Sequence, residues 1–213
     1  MPLILNQKST DNESILAVWK ITESIDELRN LLKSFTSIQP LLKKTTNESL
    51  IKQQLSIRIL IFNFFNQYHL SYDEKGKPFL DNGYSISISH SNEYAAILLD
   101  KKNQCGVDIE KISLKVDRIK HKFLSKNELS FASLYNNDIE LLTVMWCAKE
   151  ALYKYYGKKE VIFDEHLLLQ LNPTNLSCLK GEIAIGDFHQ HLDLATEKID
   201  DFMLVYTLQP PSV

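Results

Sequence analysis

The stretch CGVDIE, at residues 105–110, decides how the rest of this chain is interpreted. Apolar residues alternate with acids, and a period of two is typical of a β-strand. In such a strand Asp108 and Glu110 point to one face, while Val107 and Ile109 point into the opposite layer. The sequence therefore predicts two carboxylates side by side on one face of a strand.

A pair of neighbouring carboxylates is a candidate metal site. Two anions repel each other unless a cation lies between them, and an all-oxygen site favours a hard ion such as Mg²⁺. Acids make up 27 of the 213 residues, so about three acidic pairs at this spacing are expected by chance. The alternative is a solvated acidic face. A second motif, WCAKEALYK at residues 146–154, favours the metal site.

The second motif belongs to a predicted helix, on which Trp146, Glu150 and Lys154 share one face because they lie four residues apart. A simple Glu–Lys pair beside a buried tryptophan, worth about 0.3 kcal/mol, is the structural alternative. In the functional interpretation, Glu150 adds a third carboxylate to the ion held by Asp108 and Glu110. Lys149 and Lys154 then face the anionic substrate that this ion polarises.

The composition is that of a folded, soluble chain. Of its residues 44% are hydrophobic and 24% are charged. A net charge of −3 argues against general nucleic-acid binding. No apolar run reaches the roughly 20 residues of a membrane span, and the first residues show neither a basic region nor a long apolar core, so we expect no targeting signal. The cysteines form no C-x-x-C pair, so we expect a cytoplasmic protein with Cys105, Cys147 and Cys178 in or near the core.

Local patterns predict the elements of the first half. Residues 15–21 form a strand, and capping boxes at Ser24 with Glu27 and at Thr45 with Glu48 start two helices. Residues 84–90 alternate strictly, which indicates a half-buried strand with serines on one face.

A further strand is predicted at residues 94–99. Residues 101–104 then turn the chain back into the Asp108 strand, and we interpret that connection as a hairpin.

The second half opens with the clearest basic segment of the chain. Residues 111–126 hold one acid, Asp117, and six basic residues, which are Lys111, Lys115, Arg118, Lys120, Lys122 and Lys126. A solvated loop is the alternative to a binding surface.

Caps and strands complete the second half. Ser125 with Glu128 caps a short helix, and Asn137 with Glu140 starts a long helix that ends at Gly157. Four strands follow, at residues 167–171, 182–185, 191–195 and 202–208.

This order of elements predicts an α+β fold with an internal structural duplication. We expect two similar small α/β halves, residues 1–103 and 104–213, with the Asp108 strand near the seam between them. A chain that supplies both halves of its site is expected to be a monomer.

Several of these motifs resemble the 4'-phosphopantetheinyl transferase superfamily, specifically its longer, pseudo-dimeric Sfp-like group. The resemblance covers about residues 58–157. The motifs, in order, are GKP at 76–78, ISHS at 88–91, GVDIE at 106–110, FLS at 123–125 and WCAKEA at 146–151 followed by Lys154.

The resemblance implies that the two halves pack as an intramolecular pseudo-dimer with the active site at the seam. The first half would form the coenzyme A side of the site, and the second half would carry the metal and the catalytic helix. The resemblance also implies a set of site residues. Asp108, Glu110 and Glu150 would hold Mg²⁺, and this ion would bind the pyrophosphate of coenzyme A. The implied cofactor-binding residues are Arg58, near the 3'-phosphate of the adenosine, and Lys77, Ser89, His90, Lys149 and Lys154, around the pyrophosphate. Taken singly, Lys77 is equally well a turn lysine and His90 a satisfied histidine at a strand end.

The resemblance also implies a reaction. The 4'-phosphopantetheine arm of coenzyme A would pass to a serine of an acyl or peptidyl carrier protein, with release of 3',5'-ADP. Glu150, or a water that it holds, would take the serine proton, and the ion and Lys154 would stabilise charge on the phosphate. The alternatives are another Mg²⁺-dependent phosphoryl transferase, or a catalytically silent relative that binds coenzyme A or a carrier protein.

Overall fold

The computed structural model describes residues 3–9, 13–35, 42, 45–171 and 178–208. The elements before residue 101 follow one another as β1 (Leu3–Lys8), β2 (Ser14–Lys20), α1 (Ile25–Phe35), α2 (Glu48–Phe62), β3 (Leu70–Tyr72), β4 (Pro78–Leu80), β5 (Ser85–Ser91) and β6 (Tyr94–Asp100). Strands β1, β2, β6 and β5 form, in that spatial order, an antiparallel sheet that we call the first sheet.

The rest of the chain builds a second, five-stranded sheet. Its elements are β7 (Val107–Lys111), α3 (Lys115–Ile119), a 3₁₀ turn (Lys120–Lys122), α4 (Lys126–Leu134), α5 (Ile139–Tyr156), α6 (Phe163–His166), β8 (Leu167–Gln170), β9 (Cys178–Ile185), β10 (Phe188–Ile199) and β11 (Phe202–Thr207). The spatial order of this second sheet is β7-β11-β10-β9-β8.

The two sheets lie between two layers of helices. Their inner faces pack on each other through a cluster that contains Val18, Leu98, Val107, Ile109 and Leu204. Helices α1 and α2 cover the outer face of the first sheet, and α5 covers the outer face of the second. The predicted mixture of helices and sheets is therefore confirmed, whereas the pseudo-dimer and the boundary at residue 103 stay predictions.

The alternation at residues 107–110 is confirmed. Val107 and Ile109 are fully buried between the sheets, and Asp108 and Glu110 lie opposite Val205 and Met203 of β11, which pack toward α5. The strand therefore presents its acids to the long helix.

The predicted hairpin between β6 and β7 is wrong. In the described part of the chain, β7 pairs along its length with β11, nearly one hundred residues later, and it belongs to the other sheet from β6. The connection at residues 101–106 carries the chain from one sheet to the other. A short polar turn can make either connection, because it reverses the chain without fixing which strand pairs with the next.

The helix ends agree with the sequence in part. The capping boxes at Ser24 and Ser125 are present, and Gly157 ends α5 in the left-handed conformation with a φ of 66°. The other two helices begin elsewhere than predicted, at N-caps Asn47 and Asp138.

The N-caps of α2 and α5 differ from the predicted residues for local reasons. Asn47 is extended, and its side chain accepts the hydrogen bond from the Leu50 N–H, while Thr45 instead accepts one from the Asn47 N–H. Asn137 has a φ of 51°, which does not suit the extended N-cap position.

The first strand, Leu3–Lys8, was not predicted from the sequence.

The cysteines agree with the prediction in part. Cys178 is exposed, so the expected position in or near the core is wrong for this cysteine. Cys105 and Cys147 are buried as expected. Among the described helices, none combines the length and apolarity needed to cross a bilayer.

Candidate active site

The site begins where β7 meets α5. A Cβ atom added to Gly106 would lie 2.0 Å from the carbonyl oxygen of Ala151, so only glycine allows the strand to approach the helix backbone this closely. Ala151 follows Glu150 in the helix. The contact therefore brings Glu150 to the face of β7 that carries Asp108 and Glu110.

Asp108 is the most enclosed acid of this group, at 3% exposure. Its Oδ1 accepts hydrogen bonds from the Ser89 hydroxyl at 2.6 Å and from Lys154 Nζ at 2.7 Å. Lys154 also donates to the carbonyl of Val107 at 3.0 Å. Asp108 Oδ2 is buried and has no hydrogen-bond partner among the described residues. A buried carboxylate oxygen without a donor is costly, so this atom has capacity for a ligand.

The pKa values of the other two acids, Glu110 and Glu150, are raised. Burial raises the pKa of Glu150 to about 7, and the charges of Asp108 and Glu110 add to this effect while Lys154 opposes it. Burial, followed by the charge of Asp108, likewise raises the pKa of Glu110, although hydrogen bonds from Ser91 and Trp146 act in the opposite direction. The charge of Asp108 thus disfavours the charged forms of both Glu110 and Glu150, which is a condition that a bound cation relieves.

The chemistry of these donors fits a hard divalent ion. Carboxylate oxygens are the ligands that Mg²⁺ and Ca²⁺ prefer, and Asp108 Oδ2 has no other partner among the described residues. In the conformation described, however, no three His, Cys, Asp or Glu side chains of residues 3–9, 13–35, 42, 45–171 and 178–208 are arranged to hold a metal ion. Binding would therefore require rearrangement of side chains, and the metal role of Asp108, Glu110 and Glu150 stays a prediction.

The serine face of β5 lies directly against β7. The hydroxyls of Ser87 and Ser89 accept hydrogen bonds from the backbone N–H groups of Val107 and Ile109, at 3.0 and 3.2 Å. Ser91 donates to Glu110 at 3.1 Å. Because β5 and β7 are edge strands of different sheets, these hydroxyls take the place of a backbone ladder. Ser89, predicted to bind the cofactor, is thus brought to the site as a partner of Asp108.

Two clefts open on either side of the turn at residues 75–78. The larger, of about 490 Å³, is lined by Arg58 and His90, so the structure brings these two predicted residues together. Arg58 is buried, and its guanidinium donates to the Gln54 carbonyl at 2.9 Å. His90 is exposed.

The second cleft, of about 230 Å³, is strongly basic. Its lysines are Lys75, Lys77, Lys154, Lys158 and Lys159. The clefts share Gly76, Pro78 and Ile88 in their walls, so they are neighbours. A continuous surface thus runs from Arg58 to Lys154, with five ammonium groups at one end. Such a surface suits a ligand with several phosphates.

Lys77 lies over the end of α5. A Cβ added to Gly157 would lie 2.4 Å from Lys77 Nζ, and that ammonium donates to Gln104 at 2.5 Å. Burial lowers the pKa of Lys77. The cation is placed at the carbonyl end of the helix, where the helix dipole favours positive charge. Lys77 is therefore more than an exposed turn lysine.

Lys149 is not brought to this group. The side chain has no exposure, and its ammonium forms an ion pair with Glu128 Oε2 at 2.6 Å and donates to the Phe163 carbonyl at 3.0 Å. It is enclosed in the second half of the chain, away from the clefts. We therefore correct the prediction that Lys149 lines the pyrophosphate. Helical spacing placed it beside Glu150 but could not show that its neighbours on that side were buried.

Sequence reasoning missed several residues of the site. Lys158 and Lys159 follow directly after Gly157, and this pair of cations next to a helix end was a usable signal. Ser87 and Ser91 form hydrogen bonds to β7, and the only sequence feature that pointed to them was the alternation of serines at residues 85–91. Nothing in the sequence linked Glu128 to Lys149.

Comparisons with known proteins agree with the motifs. A model of the 4'-phosphopantetheinyl transferase superfamily matches residues 104–198. The 4'-phosphopantetheinyl transferase gsp of Aneurinibacillus migulanus is 28% identical over 127 residues, which cover 58% of this chain and 52% of the relative. The L-aminoadipate-semialdehyde dehydrogenase-phosphopantetheinyl transferase of Xenopus laevis is 28% identical over 93 residues, or 40% of this chain and 31% of the relative.

The matches therefore span about half or less of the length of these curated relatives. The span of the family model includes β7 and α5, the two elements that bring the three carboxylates together. The resemblance drawn from the motifs is confirmed: residues 104–198 match the 4'-phosphopantetheinyl transferase superfamily, and the chain is similar to members that carry that name.

Proposed function

We propose that this protein transfers the 4'-phosphopantetheine arm of coenzyme A to a serine of an acyl or peptidyl carrier protein and releases 3',5'-ADP. The observation that carries the proposal is the junction of β7 and α5, where three acids and Lys154 lie beside a cleft with five lysines. The similarity of residues 104–198 to the 4'-phosphopantetheinyl transferase superfamily supports the same reaction. We further propose that the protein acts as a monomer in the cytoplasm.

The clefts support a mode of coenzyme A binding. The pyrophosphate would lie at the basic cleft, where Lys77 and Lys154 can donate to its oxygens. The adenosine 3'-phosphate would lie in the larger cleft, near Arg58 and His90. Ser89 would act through Asp108, since its hydroxyl is already committed to that carboxylate.

The three acids are the proposed ligands of a divalent ion. Asp108, Glu110 and Glu150 would hold this ion. Among the described residues, Asp108 Oδ2 has no hydrogen-bond partner, so this oxygen is available to bind it. When bound, Mg²⁺ would supply positive charge to the phosphate oxygens on which negative charge develops.

The chain's own residues would then perform the transfer. The carrier serine Oγ forms a bond to the β-phosphorus, and the bond from that phosphorus to the bridging oxygen of 3',5'-ADP breaks. The serine proton would pass to Glu150 or to a water that it holds. Lys154 would donate to the oxygens of the leaving phosphate, because its ammonium already lies beside Asp108.

The test is an incubation of the protein with coenzyme A, Mg²⁺ and an apo carrier protein, followed by mass spectrometry of the intact carrier. We expect a mass increase of one phosphopantetheine group and the appearance of 3',5'-ADP. Carrier with its serine changed to alanine is the control and should gain no mass. Binding of coenzyme A without any modification would instead indicate a silent relative, and transfer of a different group would indicate another phosphoryl transferase.

A further inference from the structure

The buried ion pair between Lys149 and Glu128 connects four elements around the candidate active site. Glu128 is 4% exposed, and its Oε2 accepts from the Ser125 N–H at 2.7 Å as well as from Lys149. Its Oε1 accepts from the Leu169 N–H at 2.8 Å. One carboxylate therefore joins the start of α4, the middle of α5 and strand β8.

The same lysine extends the connection to α6. Its second hydrogen bond goes to the carbonyl of Phe163, and the ring of Phe163 stacks on Trp146 with centroids 5.9 Å apart. Trp146 in turn donates a hydrogen bond to Glu110. A continuous path of contacts thus runs from Glu128 through Lys149, Phe163 and Trp146 to an acid on β7.

The helix provides a second path. Adjacent residues of an α-helix point about 100° apart, so a fixed direction for Lys149 also fixes the direction of Glu150. Lys149 is held on the side of α4 and β8, while Glu150 faces β7. A rotation of α5 that moved Glu150 away from Asp108 would have to break the buried ion pair.

We propose that Lys149, together with Glu128, is a positioning residue that sets the rotation of α5 and the place of Trp146, and thereby orients Glu150 and Glu110 toward the ion. The inference rests on the proposed function and adds to it a residue that does not touch the substrate. Partners of this kind, one step removed from a metal ligand, typically affect metal affinity or activity about ten- to a hundredfold.

The first variant is Lys149→Met, whose unbranched side chain is one heavy atom shorter than that of lysine and carries no charge. We expect kcat to fall about ten- to a hundredfold and the Mg²⁺ concentration for half-maximal rate to rise on the same scale, with the KM for the carrier unchanged. The second readout needs no turnover. It is the rise in Tm that Mg²⁺ and coenzyme A cause in the absence of carrier, and we expect this rise to shrink.

Two controls separate positioning from stability. Leu142→Ala removes a fully buried side chain from the same helix and should lower Tm without changing kcat or the Mg²⁺ requirement at temperatures where the protein is folded. The double variant Glu128→Gln/Lys149→Met leaves no unpaired buried charge and should recover Tm. It should not recover the response to Mg²⁺.

The outcomes are distinct. Recovery of both Tm and the Mg²⁺ response in the double variant would overturn the positioning role. The same holds if the Lys149→Met protein has the Tm and the Mg²⁺ response of the unaltered protein. If Lys149→Met does not fold, Glu128→Gln takes its place with the same expected results, because an amide oxygen at this position can still accept from the Leu169 N–H. An unaltered protein that shows neither transfer nor a Tm response would overturn the proposed function and this inference with it.

Discussion

The two edge strands that meet between the sheets, β5 and β7, differ in how completely their polar groups are satisfied. On β5, the hydroxyls of Ser87, Ser89 and Ser91 each form a hydrogen bond to β7. On β7, Asp108 keeps one buried oxygen without a partner among the described residues, and burial, followed by the charge of Asp108, raises the pKa of Glu110. The comparison teaches that β5 supports the site and that β7 has the unused capacity for a ligand.

The largest effect should come from removing the acid with the unused oxygen. Asp108→Ala should lower the transfer rate about a hundredfold to a thousandfold, because loss of this kind of charge stabilisation costs about 2.7 to 4 kcal/mol. Steady-state rates with coenzyme A and carrier measure it, and Asp187→Ala, at an exposed hairpin, is the control. Undiminished transfer by the Asp108→Ala protein, or by the unaltered protein in excess EDTA, would rule out the metal site.

The next effect tests the position of β7 against α5. Gly106→Ala places a Cβ 2.0 Å from the Ala151 carbonyl, so strand and helix must move apart. Overpacking of this kind costs about 1 to 3 kcal/mol of unfolding free energy, measured by urea denaturation. We expect the rate to fall as well, because Glu150 moves with the helix.

The control for this substitution is Gly186→Ala. Gly186 has a φ of 58° and open space around it, so alanine there should cost stability through the backbone alone and leave the rate unchanged. Equal rates for both alanine variants would contradict a role for the close approach at Gly106.

A smaller effect should come from the supporting strand. Ser89→Ala removes the donor to Asp108 and the acceptor for the Ile109 N–H. We expect a loss of about 1 to 3 kcal/mol in stability and about a tenfold lower rate. Ser87→Ala removes only an acceptor for a backbone N–H, so it should lose stability and keep the rate. A rate that falls equally in both variants would mean that Ser89 acts through the fold alone.

The smallest effect concerns the basic segment that follows β7. We propose that this segment is a docking surface for the carrier protein, since the family resemblance implies a carrier that is acidic around its serine. Lys111 pairs with Asp201 and Lys120 with Asp117, so the exposed Lys122 and Lys126 test this role more sharply. Lys122→Glu/Lys126→Glu should raise the carrier KM several-fold and leave the coenzyme A KM and kcat unchanged.

Salt provides the check on this docking surface. Added salt should raise the carrier KM of the unaltered protein and do much less to the double variant, because exposed charges are screened over about 10 Å at 0.1 M. Lys33→Glu/Lys180→Glu, at positions elsewhere on the chain, is the matched control. A lower kcat with an unchanged carrier KM would show that the segment supports the fold instead.

The sequence by itself determined the features that depend on neighbouring residues. The alternation at 84–90 and 107–110, the capping boxes at Ser24 and Ser125, and the stop at Gly157 follow from periods and caps that act within about four residues. The same local rules placed Asp108 and Glu110 on one face of a strand, predicted Glu150 as a third carboxylate beside them, and gave the order of motifs that carries the family resemblance.

Only the tertiary structure decided which partner each element meets. The turn after β6 did not reveal that β7 pairs with β11, and helical spacing did not reveal that Lys149 faces Glu128 while Lys154 faces Asp108. Both lysines carry the same charge on the same helix. Their roles differ because one side of α5 is closed by α4 and β8, whereas the other side meets β7, and those contacts are made by residues distant in the chain.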